Sequence, residues 1–204
     1  MIRKLSITFI TLGLLMVLWN GYQWWMQSQV VSYDPELQTE LRQSYSVSKN
    51  PGDSSYTVDH VSAETYETGE GMEELTIPKL GKKYPVYYGS DPDTLEKGIG
   101  MYDTSFTTSP SEGGHTALAG HRETTFVGLD GLVEGDFIYL TENNIEYEYQ
   151  INKIWVTDAE DTSVLVPKSS PTLTLTTCYP FDFIGSAPER FIVQADLVKQ
   201  QEIQ

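Results

Sequence analysis

Residues 5–25 form one apolar run, dominated by Leu, Ile, Val, Met, Phe and Trp and free of charge. As a helix it would reach roughly 31 Å, about the hydrocarbon thickness of a bilayer. Its length and aromatic end argue against a buried core helix. A cleaved signal peptide has a shorter apolar region and a small-x-small site, whereas this run leads into Gln27, Ser28 and Gln29, so it reads as a retained anchor. Arg3 and Lys4 precede the run and no early positive charge follows it, which predicts a cytoplasmic N-terminus and an exported remainder. Tyr22, Trp24 and Trp25 then mark the outer interface. The expected layout is 1–4 cytoplasmic, 5–26 transmembrane, 27–70 an extracytoplasmic stem, 71–198 one folded domain and 199–204 a polar tail.

The stem is rich in Ser, Thr, Tyr, Gln and acids, with a turn at Pro51-Gly52-Asp53 and a short helix predicted near 34–42. What remains of the 204 residues suits one compact domain and argues against a second. The net charge of −16 excludes nucleic acid and anionic headgroups as partners, because both are bound by clustered Lys and Arg that are missing here. A single cysteine rules out an intrachain disulfide.

From Glu73 onward, short runs are bounded by Gly and Pro, and 13 tyrosines favour pleated surfaces. Strands are predicted over 75–77, 84–88, 115–121, 137–140, 145–156, 173–178 and 190–198. Asp91-Pro92-Asp93 supplies a cap, a first-turn proline and an early acid for a short helix that stops at Gly98. This is a mostly β chain, and the pattern favours a closed barrel or a sandwich over a parallel α/β fold.

Cys178 ends a strand-like segment, Thr172-Leu173-Thr174-Leu175-Thr176-Thr177, just before Tyr179-Pro180-Phe181 opens a loop. An unassisted thiol has a pKa of about 8.5 and needs a base or cation to act as a nucleophile at neutral pH. The base is one of three histidines: His60, His115 or His121. His60 lies in the stem. His121 closes Ala117-Leu118-Ala119-Gly120-His121, a strand end where Gly120 permits close approach. His115 starts the same strand, about 20 Å away if extended, so only one of the two reaches the thiol. His115 is assigned to structure, satisfied by hydrogen bonds. Arg190 begins the last strand, beside Cys178 if the two strands pair antiparallel. It serves there as an oxyanion donor or as a surface partner of Glu189.

Leu175-Thr176-Thr177-Cys178, with Ala119-Gly120-His121 upstream and Arg190 downstream, resembles the sortase family over residues 73–198. Gly120-His121-Arg122, Cys178-Tyr179-Pro180-Phe181 and the segment 184–191 look most like class D. Pilin-polymerising members usually carry an Asp-Pro-aromatic lid; here Asp34-Pro35 is followed by Glu36, and the chain ends in polar residues 199–204. Relatives often have a His where this chain has Met101, so no role of that His carries over.

The resemblance implies a closed β-barrel of about eight strands with one or two short helices behind an N-terminal transmembrane helix. It also implies a cysteine transpeptidase at the membrane of a Gram-positive cell. Cys178 is then the nucleophile, His121 the acid and base, and Arg190 the oxyanion donor, with Thr177, Tyr179, Ala119 and Gly120 lining the substrate site. The implied partners are secreted proteins bearing a Leu-Pro-x-Thr-like sorting signal, and an amine of a peptidoglycan precursor or cross-bridge. No metal site or cofactor is expected. Ca²⁺ modulation stays open, although the acids Glu142, Glu146, Glu148, Asp158, Glu160 and Asp161 read as a solvated edge. A cysteine hydrolase without acyl transfer and a non-enzymatic adhesin domain are the competing readings. Papain-like enzymes place Cys before His, the reverse of the order here.

Overall fold

The computed structural model describes residues 2–37, 66–182, 185 and 187–203. His60, the turn at Pro51-Gly52-Asp53 and most of the helix expected over 34–42 lie outside the described residues. Helix α1 (Ile2–Ser28) is long and apolar enough to cross a membrane, and none of its apolar window is buried against the rest of the chain.

The domain is built from alternating short strands. These are β1 (Ser32–Tyr33), β2 (Gly71–Ile77), β3 (Lys82–Tyr88), β4 (Ile99–Met101), β5 (His115–Ala119), β6 (Phe137–Glu142), β7 (Ile145–Asp158), β8 (Thr172–Tyr179) and β9 (Glu189–Glu202). The hydrogen-bonded order is β3-β2-β6-β7-β9-β8-β5-β4, and a β4–β3 pairing closes it into an eight-stranded barrel. Closure removes the exposed edges that an open sheet would leave. Two contacts, β3–β4 and β5–β8, are parallel. The first is spanned by α2 (Pro92–Leu95), capped as its sequence predicts by the Asp91 carboxylate accepting from Thr94 N at 3.1 Å.

Alternation decides which side chains fill the barrel. Leu118 on β5, Leu173 and Leu175 on β8, and Val193, Ala195 and Leu197 on β9 belong to one buried cluster with Leu75, Ile77, Tyr84, Ile138 and Tyr147. The intervening residues, Ala117 and Ala119, Thr174 and Thr176, and Ile192, therefore face outward. They too are buried, because the segments between strands fold over this part of the wall.

Several boundaries differ from the sequence-based expectation. α2 ends at Leu95 rather than at Gly98, where the Lys97 amide donates to Thr94 O in a tightened last turn. β5 stops at Ala119, two residues short of His121, because the His121 carbonyl accepts from Phe126 N at 2.8 Å and opens a turn. β9 continues to Glu202, pairing residues of the expected polar tail with Glu146 to Glu148 of β7. The flanks of the expected stem are also engaged: β1 pairs with β3, and Tyr88 N donates to Glu70 O. Glu142 is not on a solvated edge. It is buried, it accepts from Ser111 N at 2.9 Å, and burial pushes its carboxyl pKa up.

Candidate active site

Three elements end side by side at one mouth of the barrel. Cys178 and Arg190 are register partners in the antiparallel β8–β9 ladder, which brings their Cα atoms within about 4.5–5.5 Å. On the other side of β8, the parallel register runs Ala117↔Thr174 and Ala119↔Thr176, and Gly120 N continues it by donating to Thr176 O at 3.2 Å. The ladder ends at Ala119↔Thr176, and Thr177 Oγ1 bonded to Gly120 O keeps the following turn, which bears His121, at the same mouth of the barrel as Cys178. Parity puts Cys178 with Thr174 and Thr176, and Arg190 with Ile192, on the outward face. His121 shares the parity of Ala117 and Ala119. All three are half-buried, as residues lining a groove are.

The neighbouring residues hold this end in shape. Thr177 faces the interior, 3% exposed, and its hydroxyl donates to Gly120 O at 2.7 Å. That bond ties the strand of the thiol to the residue before His121. A Cβ on Gly120 would lie 2.7 Å from the Phe126 ring, so only glycine lets Phe126 plug the barrel below the turn. Ala119 and Thr176 form the outward floor, and Tyr102 lies over it with its hydroxyl 3.1 Å from Thr176 Oγ1. Tyr179 packs in an aromatic trio with Phe181 and Phe191, at centroid separations of 6.1 and 6.3 Å.

Arg190 Nη1 donates to the carbonyls of Ala187 at 3.0 Å and Glu189 at 2.9 Å. Among the described residues, no partner occupies its Nε or Nη2. A guanidinium carries five N–H donors, so its head is oriented by the loop while donors remain for a bound oxygen. The surface pairing with Glu189 through the carboxylate is not seen. His115 is 1% exposed, with Nε2 2.8 Å from Thr174 Oγ1 and Nδ1 2.7 Å from Val166 O. Burial lowers its pKa below the ordinary value. Among the described residues, no group of three or more His, Cys, Asp or Glu stands close enough to hold a metal. Asp161, one of the acids considered for a cation, instead caps the turn Thr162–Val164 through Ser163 N.

The chain matches the Sortase domain family over residues 75–198, more than half its length. The chain belongs to the sortase family. Sortase D of Bacillus subtilis (strain 168) is 41% identical over 128 residues, 62% of this chain and 64% of that relative. The catalytic domain of B. anthracis SrtD superposes with a TM-score of 0.60 at 48% identity, covering 72% of this chain and 99% of that one. A Clostridium perfringens Sortase D5 transpeptidase does so with a TM-score of 0.60 at 33% identity, over 66% and 83% of the two chains. Within the sortases, the kinship is thus with class D. The chain spans just under two thirds of the Bacillus subtilis relative's length.

Arg122 enters the sequence reading only as part of the Gly120-His121-Arg122 motif, with no role, and Tyr102 and Phe126 do not enter it, yet all three are built into this end of the sortase barrel. Arg122 had a visible signal: a cation inside a turn otherwise bounded by Gly120 and Phe126. Tyr102 had none, because its place over Thr176 depends on the long-range strand pairing, whereas Phe126 is set by the local turn from His121 and by Gly120.

Proposed function

We propose that this chain is a sortase transpeptidase in which Cys178 forms a thioacyl intermediate with a Leu-Pro-x-Thr-like sorting signal. The observation that supports the reading is the register of Cys178 opposite Arg190, with β5 parallel on the other flank of β8 and leading into the turn that bears His121. The Cys178 thiolate attacks the carbonyl carbon of the signal's threonine, and the oxyanion that develops accepts from the free donors of Arg190. A well-placed donor of this kind contributes about 10²–10³ in rate. Collapse breaks the peptide C–N bond, His121 protonates the departing amine, and a thioester remains on Cys178. A cell-wall amine then attacks the thioester, His121 takes up its proton, and the thiol is released.

Thr177 acts by positioning the Gly120 carbonyl and the turn that bears His121. The backbones of Ala119 and Gly120, and the exposed part of Tyr179, line the groove. α1 serves as the anchor, with Arg3 and Lys4 on the cytoplasmic side and the barrel outside, where secreted substrates and the peptidoglycan amine are found. The layout is accordingly 1–4 inside, 5–26 in the membrane, a stem to residue 70, and a catalytic barrel from Gly71 through β9.

Product analysis of a Leu-Pro-x-Thr-Gly peptide incubated with the full chain tests this, with and without an excess of a diglycine-type amine. Transfer to the amine at the expense of hydrolysis is the expected outcome. Hydrolysis alone at saturating amine would make the chain a cysteine hydrolase.

A further inference from the structure

Arg122 is 3% exposed, yet it sits one residue from His121 at the barrel mouth. A buried guanidinium is costly unless its donors are satisfied, and here each of its three nitrogens has a partner. Nη1 donates to Pro180 O at 2.7 Å, Nη2 to Gly185 O at 3.0 Å, and Nε to the Glu123 carboxylate at 2.7 Å. Pro180 is two residues beyond Cys178 and Gly185 lies further along the same connection to β9. The fork therefore fastens the connection leaving the thiol to the turn carrying His121. The opposite side is held by apolar contact, with Phe181 packed edge-on against Phe191 at a centroid distance of 5.2 Å.

We propose that Arg122 is a positioning residue that sets how tightly the groove takes its peptide, by fixing the carbonyls of Pro180 and Gly185 and with them the wall beside Cys178. This rests on the sortase reading of the preceding section. Arg122 touches no reacting atom in this scheme. It acts through the wall, so its loss is felt in peptide capture before it is felt in bond making. Lysine cannot replace it fully, because a single ammonium head does not reproduce a planar fork spanning two carbonyls.

The test uses the full chain in detergent, with Arg122→Met, Arg122→Lys and Glu123→Gln. Loss of charge-assisted bonds predicts that KM for the signal peptide rises about tenfold in Arg122→Met, with kcat changing less than about threefold. Arg122→Lys falls between that variant and the parent. Glu123→Gln, which keeps both carbonyl bonds, stays near the parent. Amide hydrogen exchange over 181–189 quickens in both Arg122 variants while the β8 core holds. A folded Arg122→Lys with unchanged KM and unchanged exchange overturns the proposal, and so does a fall confined to kcat. If neither Arg122 variant folds, the residue belongs to fold stability and the proposal is lost. If the parent acylates no peptide, the sortase reading fails instead, and exchange over 181–189 alone decides for or against Arg122.

Discussion

The two ends of the β5–β8 ladder put the same side chain in opposite surroundings. At its start, His115 stands beside β8 with both ring nitrogens engaged, one by Thr174 Oγ1 and one by Val166 O, and solvent is shut out. Beyond its end, in the turn after Ala119, His121 is half-buried, and among the described residues no group hydrogen-bonds its ring. What differs is the covering. The connection from β7 to β8 folds over the start of the ladder and supplies Val166, whereas the far end opens into the turn after Ala119 and the connection after Tyr179. A histidine whose lone pair and N–H are both consumed is a structural fastener. One whose ring nitrogens are left open can take up and release protons, the role proposed for His121.

Substituting each histidine in turn separates the two ends by the largest effect. His121→Gln is expected to lose about 10²–10⁴ in acylation rate while its unfolding midpoint in denaturant stays close to the parent's. His115→Gln should do the reverse, losing about 1–3 kcal/mol of stability as buried partners go unpaired, with acylation per folded molecule retained. Equal loss of rate in both variants would erase the distinction between the two ends.

Arg190→Met should cost about 10²–10³ in acylation rate with little change in KM, as removal of an oxyanion donor does. A pure KM effect would make the residue a substrate clamp. Gly120→Ala probes the open end from beneath. Its new Cβ would meet the Phe126 ring at 2.7 Å, so chemical denaturation should show a loss of about 1–3 kcal/mol from overpacking. Acylation should fall with it as the His121 turn shifts. An unaltered midpoint would mean Phe126 yields freely.

The smallest effect is in pH. His115 has its pKa lowered, first by burial and also by repulsion from Lys168, relative to the ordinary 6.5. The unfolded chain therefore takes up the proton more readily. The stability this group contributes is full above pH 6.5 and is lost as pH falls through the lower folded value. The midpoint of the parent should thus drop faster than that of His115→Gln below pH 6.5. Glu142 has the opposite sign. Burial raises its pKa, so its contribution is present in acid and disappears as pH rises through the folded value. Glu142→Gln should accordingly gain on the parent from pH 4 towards neutral. Parallel pH curves for parent and variants would remove this part of the comparison.

Much of this was legible in the chain. The Leu-Thr alternation of β8 fixes which side chains enter the barrel, and the same parity delivers Cys178 to the outside. The Asp91-Pro92 cap located the start of α2, and the alternation located seven of the strands, though β4 went unpredicted and many strand limits moved by two or more residues. What a single strand's pattern does not encode is its neighbour. The parallel β5–β8 contact, which leads into the His121 turn beside the end of β8, is a long-range pairing that no local spacing announces. The same holds for Arg122, whose partners lie about 60 residues away at Pro180 and Gly185. The burial of Glu142 was hidden for a related reason: in sequence it reads as one acid among several, and only the fold brings Ser111 N to it.

Whether Cys178 takes up the acyl group can be read by intact mass spectrometry of the full chain mixed with a Leu-Pro-x-Thr-Gly peptide and quenched in acid. The expected result is an added mass equal to the acyl fragment ending in threonine, mapped to Cys178 and absent from Cys178→Ala. No adduct across a library of such peptides, or one that persists when Cys178 is replaced, would contradict it.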